Sequence, residues 1–189
     1  MTTHLMCDLE TLGTRPGAIV LAAAFVRFSD EAQMTVNLSL PDQEALGLEK
    51  DPDTLRWWGE QEAKHPGAWA AATQNAQPLV PALQYISKWI AWAGPDPLVW
   101  CHGATFDAPL LGELYRRANV PCPWHWASVR CTRTLYDLAG INPKEYAVPP
   151  PHIALNDAIG QTRAANAALA VLARAHDPAR IRTEAGVAA

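Results

Sequence analysis

Thr3-His4-Leu5-Met6-Cys7-Asp8-Leu9-Glu10-Thr11-Leu12-Gly13 begins apolar, runs into two carboxylates and ends on a glycine. The run from Thr3 to Leu9 predicts a short strand, closed by Thr11-Leu12-Gly13 and then Pro16-Gly17. Positions i and i+2 of a strand share a face, so Asp8 and Glu10 should project together while Cys7 and Leu9 point oppositely into a core. Outward from this stretch, Ala18 to Phe28 reads as a second strand, ended by a turn at Ser29-Asp30. Met34 to Leu40 alternates and stops at Pro41 as a third. Tight turns between three such strands predict an antiparallel meander.

Helices dominate the rest. A polar, Trp-bearing stretch runs from Asp51 to Ala72, and Asp51 or Asp53 would cap a short helix through Trp58. Pro81 to Trp92 sets Leu83, Ile86, Trp89 and Ile90 at helical spacing before Gly94-Pro95. Leu98 to Cys101 is a short strand between Pro97 and Gly103, followed by a helix from Phe106 to Ala118. Thr132 to Ala139 predicts another helix, ended by Gly140. Pro149-Pro150-Pro151 imposes a stiff extended loop. The last helix, Ala154 to Ala175, is alanine-rich, and residues 176–189 read as a frayed tail. The order implies one α/β domain with a mixed sheet, its first strands antiparallel and a later strand flanked by helices.

Composition bounds the function. At 189 residues the chain suits a single domain that needs no staples. A hydrophobic share of 49% and a charged share of 18% exclude a disordered, collagenous or coiled-coil chain. The longest apolar run, Ala18 to Val26, falls well short of the ~20 residues that span a bilayer. Asp8 and Glu10 stand where a signal peptide would be basic and then apolar, so a cytoplasmic protein without a membrane partner is expected. Cys7, Cys101, Cys122 and Cys131 form no CxxC pair and suggest neither a zinc knuckle nor a disulfide framework. With a net charge of −4, no overall basic field draws nucleic acid. A polyanion site would have to be built locally, and bound cations are one way to build it.

Three pieces of sequence could carry chemistry. Asp8 and Glu10 side by side repel unless cations or a shared proton lie between them, and hard divalent ions favour such oxygens. The same spacing at Asp42 and Glu44, after Pro41, reads as a solvated loop; only the first pair has an apolar strand around it. Asp107 follows the strand Leu98 to Cys101 at the start of a helix, where a lone carboxylate also simply favours the helix dipole. His152 precedes Asp157 by five residues, and the three prolines before it hold it on a loop ahead of the helix, free to lean over that carboxylate. A surface histidine and a cap-region aspartate are the plainer reading. His102 stands in the same relation to Asp107, but it ends a buried strand, so His152 is the preferred base.

Together these pieces resemble the DEDDh class of 3′–5′ exonucleases, whose fold is RNase H-like. The class has D-x-E on the first strand, an aspartate after a later strand, and H-x-x-x-x-D on a late helix. Val99-Trp100 through Phe106-Asp107, Pro123-Trp124 through Leu138, and His152 through Ala158 are similar to its RNase T-like exoribonuclease branch. That branch includes mycobacterial 3′–5′ exoribonucleases and phage exonuclease VIII-like proteins, and the likeness spans roughly residues 3 to 172. It implies an exonuclease domain over residues 1–175. The branch often carries an asparagine near the end of the fourth strand, where this chain has Cys101-His102-Gly103.

The resemblance also implies the chemistry. Two Mg²⁺ ions, replaceable by Mn²⁺, would be held by Asp8, Glu10, Asp107 and Asp157, with Asp8 bridging them. His152 would be the general base. The backbones of Thr11 and Leu12 would meet the terminal sugar, Leu12 would wedge against the last base, and Phe106 lies beside Asp107. Either Trp57 or Trp58 would stack on a base, since adjacent helical residues face different ways. Trp89, Trp92 and Trp100 are expected in the core. Arg15, Arg130, Arg133 and Lys144 are candidates for phosphate contact, though solvated surface charge explains each. The expected partner is the 3′ end of single-stranded RNA. A DNA-directed exonuclease of the same class and a catalytically silent binding relative are the alternatives. A homodimer is allowed by the resemblance and marked by no residue.

Overall fold

The strands β1 (His4–Thr11), β2 (Val20–Arg27), β3 (Gln33–Asn37), β4 (Leu98–Cys101) and β5 (Val129–Cys131) form one sheet in a computed structural model that describes residues 2–175. The expected tail at 176–189 lies outside the described residues. Spatial order is β3-β2-β1-β4-β5. The pairs β1–β2 and β2–β3 are antiparallel, whereas β1–β4 and β4–β5 are parallel. The expected mixed sheet, a meander extended by parallel strands, is what forms. β1 lies at its centre, so residues at the end of β1 are approached from both halves of the chain.

Among the described residues seven α-helices surround the sheet: α1 (Leu40–Ala45), α2 (Pro52–Lys64), α3 (Ala68–Thr73), α4 (Leu79–Ala93), α5 (Asp107–Arg117), α6 (Thr132–Ala139) and α7 (Ala154–Ala175). Leu5, Cys7 and Leu9 pack in a larger core with Leu83, Ile86 and Leu111. Met6 faces a smaller one with Val26, Trp100, Leu135 and the α7 alanines Ala158, Ala165 and Ala168. β2 is buried on both faces, which is why Val20 to Val26 reads as an unbroken apolar run. Small side chains let α7 lie close over β1 and β2, so alanine there serves packing as well as helix propensity.

Several elements differ from expectation. Sequence places the third strand to Leu40 and a loop at Asp42 and Glu44; the strand ends at Asn37 and α1 follows. Ser39 caps α1 by accepting from the Asp42 amide, and Asp42 itself accepts from the Leu79 amide at 2.8 Å. α2 runs on to Lys64, well past Trp58, because it buries only a narrow strip at Trp58 and Gln61 and needs no broad apolar stripe. α3 was not foreseen: its first amides are satisfied from outside, by the Glu62 carboxylate at Gly67 and Trp69. Trp92 is not core but 62% exposed, with the Arg27 guanidinium over its ring. Trp89 is half-buried and Trp100 buried.

Candidate active site

The end of β1 opens into a cleft whose walls carry Asp8, Glu10, Asp107, His152, Phe106 and Trp57. Strand alternation does the first part of the work: Cys7 and Leu9 are in the core, and Asp8 and Glu10 face the other way, toward α7. The pairing register of β1 with β2 shifts between Glu10 and Thr11, so the ladder is irregular immediately beyond the two acids. α7 brings Asp157 to meet them. One carboxylate oxygen from each of Asp8, Glu10 and Asp157 lies within 4.8 Å of the others.

Asp107 enters from the far side of β1. It is buried at the start of α5, and the Leu9 amide, between the two β1 acids, donates to its Oδ1 at 3.3 Å. His152 holds a left-handed backbone conformation, and its amide donates to Asp157 Oδ2 at 2.9 Å. The loop before α7 thus orients the helix's first acid. The His152 ring stands edge-on to Trp57, with centroids 4.8 Å apart.

Crowding dominates the electrostatics. Burial, and then the charges of Asp107, Glu10 and Asp157, push the Asp8 carboxyl well above the usual carboxylate range. Glu10 is pushed up to about 8 by burial and by Asp157 and Asp107. Burial raises Asp107 to about 7 against the opposing pull of the Leu9 amide and Arg133, and raises Asp157 to about 6 against the His152 amide. His152 is shifted down by burial and by the charges of His65 and Lys64, which favours neutral imidazole. Converging carboxylates that resist ionisation together offer an all-oxygen ligand set, and that set fits hard divalent cations.

Gln161 was missed. Its Nε2 donates to Asp8 Oδ1 at 2.7 Å, and its Oε1 is buried without a hydrogen-bond partner. The signal was available, since Gln161 lies four residues beyond Asp157 and so shares its helix face.

Other expected residues divide. Trp57, 37% exposed, lines the cleft, whereas Trp58 is buried and donates from Nε1 to the Thr11 carbonyl. Thr11 also reaches the cleft, its hydroxyl bonded to the Gly13 carbonyl. Leu12 corrects the expectation of a base wedge. Its side chain is fully buried in the core, its amide donates to Ile19, and its carbonyl accepts from Asp51. The turn that follows the acids needs an apolar anchor, and Leu12 is that anchor. His102, the less favoured base, also lines the cleft, with Nδ1 3.1 Å from the Thr132 hydroxyl. Of the four candidate phosphate ligands only Arg133 reaches this cleft.

Over residues 3–169 the sequence matches the family described as the 3′–5′ exoribonuclease Rv2179c-like domain. The chain belongs to that family. It is therefore a 3′–5′ exonuclease, and the Rv2179c-like domain spans every acid described above. Among solved structures, the nuclease domain of 3′hExo, a DEDDh family member bound to rAMP, has a TM-score of 0.58 at 9% identity. That match covers 89% of this chain and 92% of the other. E. coli exonuclease I in complex with a 5cy-dT13 oligonucleotide has a TM-score of 0.54 at 18% identity, covering 94% of this chain and 42% of the other. These likenesses establish the RNase H-like fold. No curated protein matches this Rv2179c-like chain by sequence. Among the described residues no helix is long and apolar enough to cross a membrane.

Proposed function

We propose that the chain removes nucleotides from the 3′ end of single-stranded RNA. In this reading Asp8, Glu10, Asp107 and Asp157 are the ligands of two Mg²⁺ ions, Mn²⁺ substituting, and His152 is the general base. The observation that carries it is the meeting of Asp8, Glu10 and Asp157 oxygens within 4.8 Å of one another. They meet at a cleft that Asp107 also lines and whose edge His152 occupies. When bound, such a pair of ions generates the nucleophile and stabilises both the attacking and leaving oxygens of an in-line displacement.

The chain's own groups do the rest. Asp8 is steadied by the Gln161 amide and Asp157 by the His152 amide, so neither carboxylate must be reoriented for catalysis. A neutral His152 ring nitrogen accepts the proton of the attacking water. Trp57 offers an exposed face on which a terminal base can stack, and Phe106 lies on the cleft wall beside Asp107. RNA follows the family's description as exoribonucleases. A DNA-directed activity is the second reading, favoured by the overlap of nearly the whole chain with a nuclease whose structure was solved in complex with a dT13 oligonucleotide. The catalytic unit in this reading is residues 1–175, acting in the cytoplasm. A homodimer would show as a doubled mass in light scattering.

Digestion of 5′-labelled RNA and DNA of one sequence, with and without divalent metal, tests the reading. The expected result is stepwise shortening from the 3′ end, only with Mg²⁺ or Mn²⁺, faster on RNA and absent in Asp157→Ala. Faster loss of DNA would replace RNA as substrate, and no metal-dependent shortening of either would overturn the assignment.

A further inference from the structure

The cleft presents acids to a substrate that is itself a polyanion. Asp8, Glu10, Asp51, Asp53 and Asp107 line it, and Arg133 is its one permanently cationic side chain. Most other described arginines are neutralised. Arg27 pairs with Asp30, Arg56 with Asp53, Arg116 and Arg117 with Glu113, and Arg163 with Glu31. Arg130 turns back onto the carbonyls of Ala127 and Val129. Arg133, among the described residues, donates its side chain to no acceptor.

Its seat is built by the backbone. Arg133 stands in the first turn of α6, directly after β5. Its guanidinium lies along Gly103, where an added Cβ would come within 3.5 Å of Cζ. Gly103 has a φ of +114°, a conformation that glycine adopts freely and other residues resist. The bend after β4 therefore leaves the guanidinium its place, within electrostatic reach of both Asp107 and His102. A planar fork with five free donors beside a phosphodiester-cleaving centre matches two oxygens of one phosphate.

We propose that Arg133 grips the phosphate of the 3′-terminal nucleotide, by its non-bridging oxygens in the substrate and again in the released nucleoside 5′-monophosphate. This rests on reading the cleft as the nuclease centre. In the hydrolysis, a water oxygen bonds to phosphorus and its proton passes to the base. The bond from phosphorus to the O3′ of the penultimate nucleotide breaks, and that oxygen leaves as a hydroxyl after taking a proton from solvent, to which the base returns its own. Negative charge gathers on the non-bridging oxygens on the way. Arg133 neither gives nor takes a proton; it opposes that charge and fixes the phosphate's orientation.

The test uses the full chain with Arg133→Met and Arg133→Lys, and Arg116→Met as a control outside the cleft. Arg133→Met should lower kcat/KM on RNA by about 10²-fold or more, with Arg133→Lys recovering part of the loss and Arg116→Met unchanged. Calorimetry in Mn²⁺ should show Arg133→Met weakening AMP at least about tenfold while leaving adenosine and Mn²⁺ affinities unchanged, since only AMP carries the phosphate. Wild-type kcat/KM in Arg133→Met, or a parallel loss of Mn²⁺ affinity, overturns the proposal; the latter would make Arg133 a positioning residue for the acids. If the unaltered protein releases no nucleotide, the nuclease reading falls, and equal AMP affinity in wild type and Arg133→Met then removes the phosphate grip as well.

Discussion

His152 joins two tasks in one residue, its amide oriented on Asp157 and its ring on the cleft wall against Trp57. His152→Ala keeps the backbone hydrogen bond and removes the imidazole. It should lower kcat by about 10²–10⁴-fold with Mn²⁺ affinity little changed, measured by steady-state turnover and calorimetry. Full turnover in His152→Ala together with abolished turnover in His102→Ala would move the base to His102, which lines the same cleft. Asp8→Asn preserves shape and the capacity to hydrogen-bond but removes one charge. It should give a folded protein whose metal-dependent kcat falls by about 10³-fold or more, the scale of a lost Lewis-acid contribution of several kcal/mol. Wild-type activity with full metal dependence in this variant would refute the ligand assignment. At this scale the sequence was legible where residue type and spacing constrain chemistry, as for Asp8 and Glu10. It was not legible for Leu12 or Gln161, whose roles depend on which way a side chain turns.

α7 is the element that assembles the site, because a single helix supplies Asp157 and Gln161 to β1 and packs its alanines on the sheet behind them. Its position is held from the outside at Gly160, where an added Cβ would come within 2.9 Å of the Tyr146 carbonyl oxygen. Gly160→Ala should therefore destabilise the fold by about 1–3 kcal/mol despite alanine's better helix propensity. The expected drop in Tm is about 2–4 °C per kcal/mol at this chain length. A scanning-calorimetry Tm at or above wild type would show that α7 can shift without strain. Helical periodicity announced α4, α5 and α7, since each turns an apolar stripe to a core. α3 had no such announcement, because its cap is the Glu62 carboxylate carried on the preceding helix.

For the molecule as a whole, the acids make stability depend on pH and metal together. Glu10 near 8, Asp107 near 7 and Asp157 near 6 all bind protons more tightly folded than unfolded, where carboxyls titrate near 4. These three acids thus hold more protons in the folded state than in the unfolded chain between about pH 4 and pH 8, and their contribution to stability falls as pH rises through that window. Below about pH 6.5 they are opposed by His4, His102 and His152, which burial holds below the usual imidazole range. In EDTA, Tm should decline from about pH 6.5, above the range in which the histidines oppose the acids, to pH 8. Added Mn²⁺ should raise Tm more at pH 8 than at pH 6, because binding must displace the protons that remain at the lower pH. A metal-free Tm that rises across this range, or no Mn²⁺ shift at either pH, would show that these carboxylates do not crowd one another in solution.

What the chain determined by itself was local. Apolar alternation made the strands, i and i+2 geometry put Asp8 and Glu10 on one face, and helical spacing made the larger helices. These are properties of neighbours along the backbone, so periodicity records them. Tertiary structure decided the rest: that Asp157 closes on the β1 acids while Asp107 comes to rest on the Leu9 amide, that Trp57 faces the cleft while Trp58 is buried, and that one arginine is left unpaired beside the acids. Those outcomes turn on contacts between segments far apart in the chain, where the free energy of burial and pairing is set by the assembled surface rather than by any residue's own preference.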